Sequence, residues 1–105
     1  MSRATALFSV GTLIHHRLFQ YRGVIFDVDP VYQGTEEWYA QMARSRPPRD
    51  EPWYHVMVHD ATHTTYVAEQ NLEADLTGEE INHPLLDEQF AGFDGHRYLS
   101  RQQSN

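Results

Sequence analysis

The sequence of 105 residues contains no cysteine, and this absence excludes several kinds of site. Without thiols the chain has no disulfide, no thiol nucleophile and no cysteine-ligated zinc or iron–sulfur centre. Residues 1–17 also lack an apolar run long enough for a signal-peptide core or a membrane span. We therefore expect a cytoplasmic protein that does not associate with membranes.

Lysine is absent as well, so all eight basic residues are arginines, and they are distributed unevenly. Six arginines lie within residues 1–49, which contain four acids, whereas residues 50–96 contain eleven acids and no arginine. The net charge of −7 argues against tight sequence-independent binding to DNA, because phosphate neutralisation supplies most of that affinity. A local arginine patch can still make weak contacts with a phosphate backbone.

Short alternating segments predict a single, mainly β domain. Residues 8–16 predict a first strand with a bend or bulge at Gly11, and residues 24–29 predict a second, half-buried strand. Residues 53–68 predict a β-hairpin whose turn lies at residues 60–63. The predicted interior consists of Val24, Phe26, Val28, Tyr54, Val56, Val58 and Val67.

A short helix is predicted between the second strand and the hairpin. Thr35 is a typical N-cap, Glu36 and Glu37 favour the first turn, and Pro47 and Pro48 prevent continuation. Further along, we expect a short strand at residues 80–82 and a helical turn after residue 84. Together these elements predict a small, strongly bent antiparallel sheet that closes into a β-barrel, with one short helical insertion.

The predicted domain covers residues 8–90. Residues 1–7 are expected to be a flexible N-terminus, and residues 91–105 a flexible C-terminal tail.

Catalysis and metal binding are not predicted. Two features of the sequence bear on them, the histidines and a pair of aspartates. The spacing of the seven histidines gives only weak support to a metal site, through His59 and His63 across the hairpin turn, and solvated positions or hydrogen-bonded core edges explain them better.

Asp27 and Asp29 share a strand face and so could hold a cation or act as an acid/base pair. The preferred interpretation is a solvated face whose aspartates pair with Arg17 or Arg22, because no nucleophile-elbow, Walker or zincin spacing accompanies them. We expect a protein that is not an enzyme and has no cofactor and no metal site.

Two arginine-containing segments without acids, residues 15–22 and 44–49, are the candidate binding surface. Arginine forks pair with phosphates, and aromatic rings stack on bases or on peptide side chains. The alternative is loop packing with intramolecular pairing to the acidic half. The candidate DNA- or partner-binding residues are Arg17, Phe19, Tyr21, Arg22, Arg44, Arg46 and Arg49.

A family resemblance covers residues 8–90. The segments "VGTLIHHRLFQYRGVIFDVDPVY", "TEEWY", "RPPRDEPWYHVMV", "YVAEQNLE" and "GEEINHPLLDEQF" follow one another in the order and spacing of a known family. The sequence resembles the HspQ heat-shock protein family, also described as the hemimethylated-DNA-binding, YccV-like domain.

The resemblance implies an SH3-like barrel in a bacterial cytoplasmic protein of the heat-stress response. It implies a part in proteolysis, with Lon protease as partner and denatured or regulatory proteins, including the replication initiator, as clients. Preferential binding of hemimethylated DNA is the alternative that it implies. Association into a homo-oligomer is left open.

Overall fold

The computed structural model describes residues 5–101 and shows two antiparallel sheets with short helices between the strands. The elements are, in chain order, β1 (Leu13–His16), β2 (Arg22–Asp29), α1 (Glu36–Met42), β3 (Trp53–Val58), β4 (Thr64–Ala68), a 3₁₀ turn (Glu69–Asn71), β5 (Leu72–Ala74), α2 (Leu86–Gln89), β6 (Phe90–Phe93) and β7 (Tyr98–Ser100).

The larger sheet has the strand order β4-β3-β2-β1-β5, and β6 and β7 form the smaller sheet. This confirms the mainly β antiparallel class, with α1 inserted between β2 and β3 as expected. Within residues 5–101 no strand pairing joins β4 to β5, so the expected closure into a barrel is not confirmed. The two edge strands are instead connected through the 3₁₀ turn.

The helix α1 forms where its capping residues predict it. The Thr35 side chain accepts the backbone N–H of Trp38 at 3.0 Å, and Glu36 and Glu37 lie in the first turn. Tyr39 and Ala43 then pack on two residues of the larger sheet, Trp53 and Ala68. The helix therefore covers the end of β3 that follows the proline-containing loop.

The hydrophobic residues of the larger sheet form two clusters on its opposite faces, and a β-bulge interrupts β2. Ile25 lies opposite Val56, but Asp27 lies opposite His55, so Phe26 is the additional residue. The bulge changes which residues share a face. One cluster contains Leu13, Val24 and Met57 with Phe26 packed against it; the other contains Ile14, Ile25, Tyr54, Val56, Val67 and Leu72, with Val28 packed against it. The predicted single interior is therefore wrong: Val24 pairs with Met57 and so lies on the face opposite to Val56, and the bulge moves Val28 to the face of Val56.

Residues 90–100 form a hairpin, so the expectation of a flexible tail from Ala91 is wrong for this part. Asp94 Oδ1 accepts the backbone N–H groups of His96 and Arg97 at 2.8 and 2.9 Å, and Gly95 has a φ of +98°. This turn returns the chain so that Tyr98 packs, 4% exposed, in the cluster of Leu13. Burial of Tyr98 stabilises the hairpin. Residues 102–105, and residues 1–4 of the predicted N-terminus, lie outside the described residues.

Residues 80–82 do not form the expected strand. The Ile81 backbone bonds to the Tyr98 hydroxyl instead, which accepts from its N–H at 2.8 Å and donates to its carbonyl at 3.2 Å. A side chain thus replaces a strand partner. The helical turn expected after residue 84 is confirmed as α2. Across residues 5–101, each helix is too short or too polar to cross a membrane.

Candidate binding groove

The turn between β1 and β2 is built around His16, which is buried. Its Nδ1 accepts the backbone N–H groups of Leu18 and Phe19 at 3.1 and 3.0 Å, and its ring stacks on Phe19 with centroids 4.7 Å apart. Burial, together with the nearby His15, lowers the pKa of His16, and the neutral ring keeps Nδ1 available as an acceptor. The turn is therefore fixed while the Leu18 and Phe19 side chains remain 58% and 74% exposed.

The end of α1 and the segment that follows it, residues 42–47, lie across the groove from this turn. Its chain reverses where the Arg46 N–H bonds to the Ala43 carbonyl at 2.9 Å, with Arg46 at a φ of +54°. The Tyr39 hydroxyl donates to the carbonyl of buried Pro47 at 2.6 Å. These contacts hold the segment against the helix and leave Met42 62% exposed.

Strand β4 lies between the two segments and is an edge strand. Backbone bonds at both ends of its ladder with β3 run from Val58 N to His63 O (3.4 Å) and from Glu69 N to Pro52 O (3.1 Å). Because antiparallel pairing alternates, the backbone groups of Thr64, Tyr66 and Ala68 point away from β3. Within residues 5–101 no neighbouring strand pairs with this edge. The edge therefore has backbone donors and acceptors for another chain.

These three parts enclose a groove of about 1040 Å³, which we call the β4 groove. It is lined on one side by Leu18, Phe19 and Tyr21, on the other by Met42 and Arg44, and along its floor by β4. Among the described residues that line it there is no carboxylate, and Arg44 is the one arginine. The groove is thus largely apolar with a positive group on one wall.

The structure brings together three of the seven candidate binding residues. Phe19, Tyr21 and Arg44 line the β4 groove, although the Tyr21 hydroxyl also bonds to Thr65 Oγ1 at 2.7 Å. Arg44 and Arg46 are both exposed, but Arg46 does not line the groove.

The other three arginines pair with acids of the same chain. Arg17 lies 3.4 Å from Glu73, Arg22 lies 2.6 Å from Asp75, and Arg49 lies 2.5 Å from Glu36, with its guanidinium over the Tyr32 and Tyr39 rings. For Arg17 and Arg22 this is the pairing with the acidic half that the sequence left open, whereas Arg49 pairs with Glu36 of the N-terminal half. A role for these three arginines in binding stays a prediction.

The sequence analysis missed Leu18 and Met42, which are the exposed aliphatic side chains of the groove walls. Met42 lies at the end of the helix, one turn after Trp38. Tyr39 and Ala43 are buried, so the face of the helix that packs on the sheet is rotated away from Met42. The available signal was an apolar residue, Met42, shortly before the loop that contains Pro47 and Pro48.

A comparison with known protein families identifies the chain. A family model described as "Hemimethylated DNA-binding protein YccV like" matches residues 6–97. The chain belongs to the YccV-like family. The resemblance found in the sequence is thereby confirmed. The YccV-like match extends beyond Phe90 through β6 to Arg97, so it includes part of the hairpin that covers the core.

Proposed function

We propose that this YccV-like chain is a non-enzymatic adaptor or modulator of Lon-type proteolysis, acting in the bacterial cytoplasm during heat stress. Its clients are denatured or regulatory proteins, including the replication initiator. The observation that supports this proposal is the β4 groove, in which an unpaired strand edge lies between exposed Leu18, Phe19 and Met42. The proposal assigns no catalytic step to the protein.

An extended polypeptide is the ligand that fits such a groove. Its backbone would pair with the outward groups of β4, which gives affinity for any sequence, while alternate side chains enter the apolar walls. Unfolded proteins expose extended apolar segments of this kind. Arg44 favours a segment that also has an acidic residue, because within residues 5–101 no carboxylate lines the groove to compensate the guanidinium.

The proposal is tested by degradation of a client protein by purified Lon, with and without the full chain. Leu18→Ser and Met42→Ser are placed in the groove walls, and Leu76→Ser is the matched control, because Leu76 is 91% exposed and outside the groove. We expect the wild type and Leu76→Ser to change the degradation rate, and the two groove variants to lose most of the effect. A wild type that neither changes the rate nor is itself degraded contradicts the proposal.

Truncation at Phe90 is unsuitable for this test, although it would isolate the segment first expected to be a tail. Tyr98 belongs to the hydrophobic core and bonds to the Ile81 backbone, so its removal would unfold the domain. Surface substitutions avoid this effect.

Hemimethylated DNA is the second candidate ligand, and the description of the matched family supports it. Of the five candidate arginines, Arg44 and Arg46 are exposed and form no ion pair within residues 5–101, whereas Arg17, Arg22 and Arg49 are paired with acids. Binding is measured on otherwise identical unmethylated, hemimethylated and fully methylated duplexes. Equal affinity for all three would remove the methylation preference, and absence of binding would remove this candidate.

The SH3-like barrel also remains a proposal. The order β4-β3-β2-β1-β5 and the 3₁₀ turn between the edge strands support it. A second copy of the chain is a competing occupant of the β4 edge, and sedimentation of the purified protein measures whether a homo-oligomer forms.

A further inference from the structure

A cluster of three metal-ligating side chains lies on the larger sheet, next to the β4 groove. One donor atom each from Asp27, Asp29 and His55 lies within 4.8 Å of the other two. The Asp29 and His55 side chains are 20% and 34% exposed. The separation allows a single cation to contact all three with small side-chain rotations.

The bulge in β2 creates this cluster. If the pairing of Ile25 with Val56 continued without interruption, Asp27 would lie opposite Tyr54, which is fully buried. The additional residue Phe26 instead places Asp27 opposite His55. Bulges commonly redirect a side chain in this way beside functional sites. Asp29, two residues further along β2, then lies on the same face.

Both carboxylates retain an oxygen for a ligand bond. Asp29 Oδ2 accepts from the Tyr66 hydroxyl at 2.6 Å and lies 3.1 Å from His55 Nε2, which leaves Oδ1. Asp27 Oδ1 accepts the Val28 N–H at 2.9 Å, which leaves Oδ2. In the described part of the chain no other donor bonds to these two oxygens. The Tyr66 hydroxyl orients Asp29, as partners of metal ligands commonly do.

Within residues 5–101, no arginine forms an ion pair with the two aspartates of the cluster. Across residues 5–101, Asp27 forms no ion pair, and the one ion-pair partner of Asp29 is His55, which is charged only when protonated. The arginines Arg17 and Arg22, expected from the sequence to neutralise these aspartates, pair with Glu73 and Asp75 instead. Two carboxylates on one strand face without a fixed cation favour binding of one.

We propose that Asp27, Asp29 and His55 bind a divalent transition-metal cation. One imidazole nitrogen with two carboxylate oxygens suits Zn²⁺ or Mn²⁺ better than Ca²⁺ or Mg²⁺, which prefer oxygen ligands alone. Three protein ligands leave a coordination position for water or for a further ligand. A cavity of about 340 Å³ lined by Asp29, His55, Tyr66 and Trp38 gives access to that position.

The test uses the full chain, stripped with chelator and titrated with Zn²⁺ by calorimetry. We expect one equivalent to bind, with at least about tenfold weaker affinity in His55→Gln and Asp27→Asn, since loss of an outer partner alone costs about that much. The matched control is His96→Gln, because His96 is exposed in the turn between β6 and β7 and outside the cluster. It should bind Zn²⁺ as the wild type does.

Cobalt(II) supplies a readout that does not depend on stability. We expect a visible absorption band for Co²⁺ bound to the wild type and to His96→Gln, and its loss in His55→Gln. Absence of stoichiometric binding overturns the proposal, and so does weak binding that His55→Gln and His96→Gln retain equally. In that case the cluster is an ordinary hydrogen-bonded contact of His55 with Asp29 beside a solvated Asp27.

Discussion

Arg22 in β2 and Asp75, directly after β5, form an ion pair in which Nε lies 2.6 Å from Oδ2, and both side chains are largely shielded from solvent, at 18% and 6% exposure. The Arg22 Nη2 group also donates to the carbonyl of Glu79. Burial opposes ionisation of Asp75, but hydrogen bonds from Arg22 and Thr77 outweigh it and lower the pKa of that carboxyl. The arginine thus connects two distant segments of the chain.

We expect Arg22→Ala to lower the free energy of unfolding by about 3 kcal/mol, because it leaves a buried carboxylate without its partner. Arg17→Ala is the matched control. Its ion pair with Glu73 is about half exposed on both sides, so its loss should cost at most about 1 kcal/mol. Urea denaturation of both variants measures this. Equal losses would contradict the structural role of Arg22.

Gly11 is expected to be intolerant of substitution, because it contacts the C-terminal hairpin. A Cβ atom there would lie 2.1 Å from the Tyr98 carbonyl oxygen, and the φ of Gly11 is +95°. Gly11→Ala should therefore destabilise the protein by at least about 2 kcal/mol.

Gly92→Ala is its control. A Cβ at residue 92 meets nothing within 4 Å, and the free energy of unfolding should change by less than about 0.5 kcal/mol. If thermal unfolding of the two variants is indistinguishable, the hairpin does not pack on Gly11 in solution.

Lowering the pH should reduce the free energy of unfolding through protonation of His16. Its pKa is lowered from 6.5 in the folded state, so below pH 6.5 the unfolded chain binds a proton more readily than the folded chain. The free energy of unfolding therefore decreases as the pH falls through this range. Protonation of Nδ1 would also remove the acceptor of the Leu18 and Phe19 N–H groups.

The measurement compares urea unfolding at pH 7.5 and 5.5. His16→Asn retains an acceptor oxygen but does not titrate, so its stability should change less with pH than that of the wild type. His96→Asn should behave as the wild type. A wild-type pH dependence that His16→Asn reproduces in full would assign the effect to other groups.

Any DNA binding should depend weakly on salt. If Arg44 and Arg46 alone meet phosphates, the plot of log affinity against log salt concentration should have a slope of about −1.8 for duplex DNA. Double substitution of these two arginines by glutamine should remove that slope. A slope near −4.5 would correspond to about five phosphate contacts and would require further arginines to take part.

The fold could be predicted where local chemistry decides it. Thr35 caps α1 as its hydroxyl predicts, and the hairpin of β3 and β4 turns at the expected residues. Phe26 could not be recognised as a bulge residue, because bulges depend on pairing between strands and leave the alternation of a single strand unchanged. The second hairpin had a signal, since Asp94–Gly95 is a favoured turn dipeptide, but its strands are short.

The candidate groove was predicted in part. Phe19 and Arg44 are correctly grouped as residues of two segments without acids, but their proximity depends on how α1 returns to the sheet. The pairing of Arg22 with Asp75 joins residues far apart in sequence, and composition alone cannot distinguish it from an arginine available to a ligand. Long-range charge compensation is therefore the part that the sequence does not specify.

The contact of Gly11 with Tyr98 also has a consequence for protein synthesis. Leu13, Val24 and Met57 leave the ribosome well before Tyr98, which completes their cluster. At translation rates of about 5–20 residues per second, the interval between residues 57 and 98 lasts about two to eight seconds. During this interval the nascent chain exposes an incomplete apolar surface. Chaperones can then bind it, and proteases can cleave it, as they do an unfolded protein.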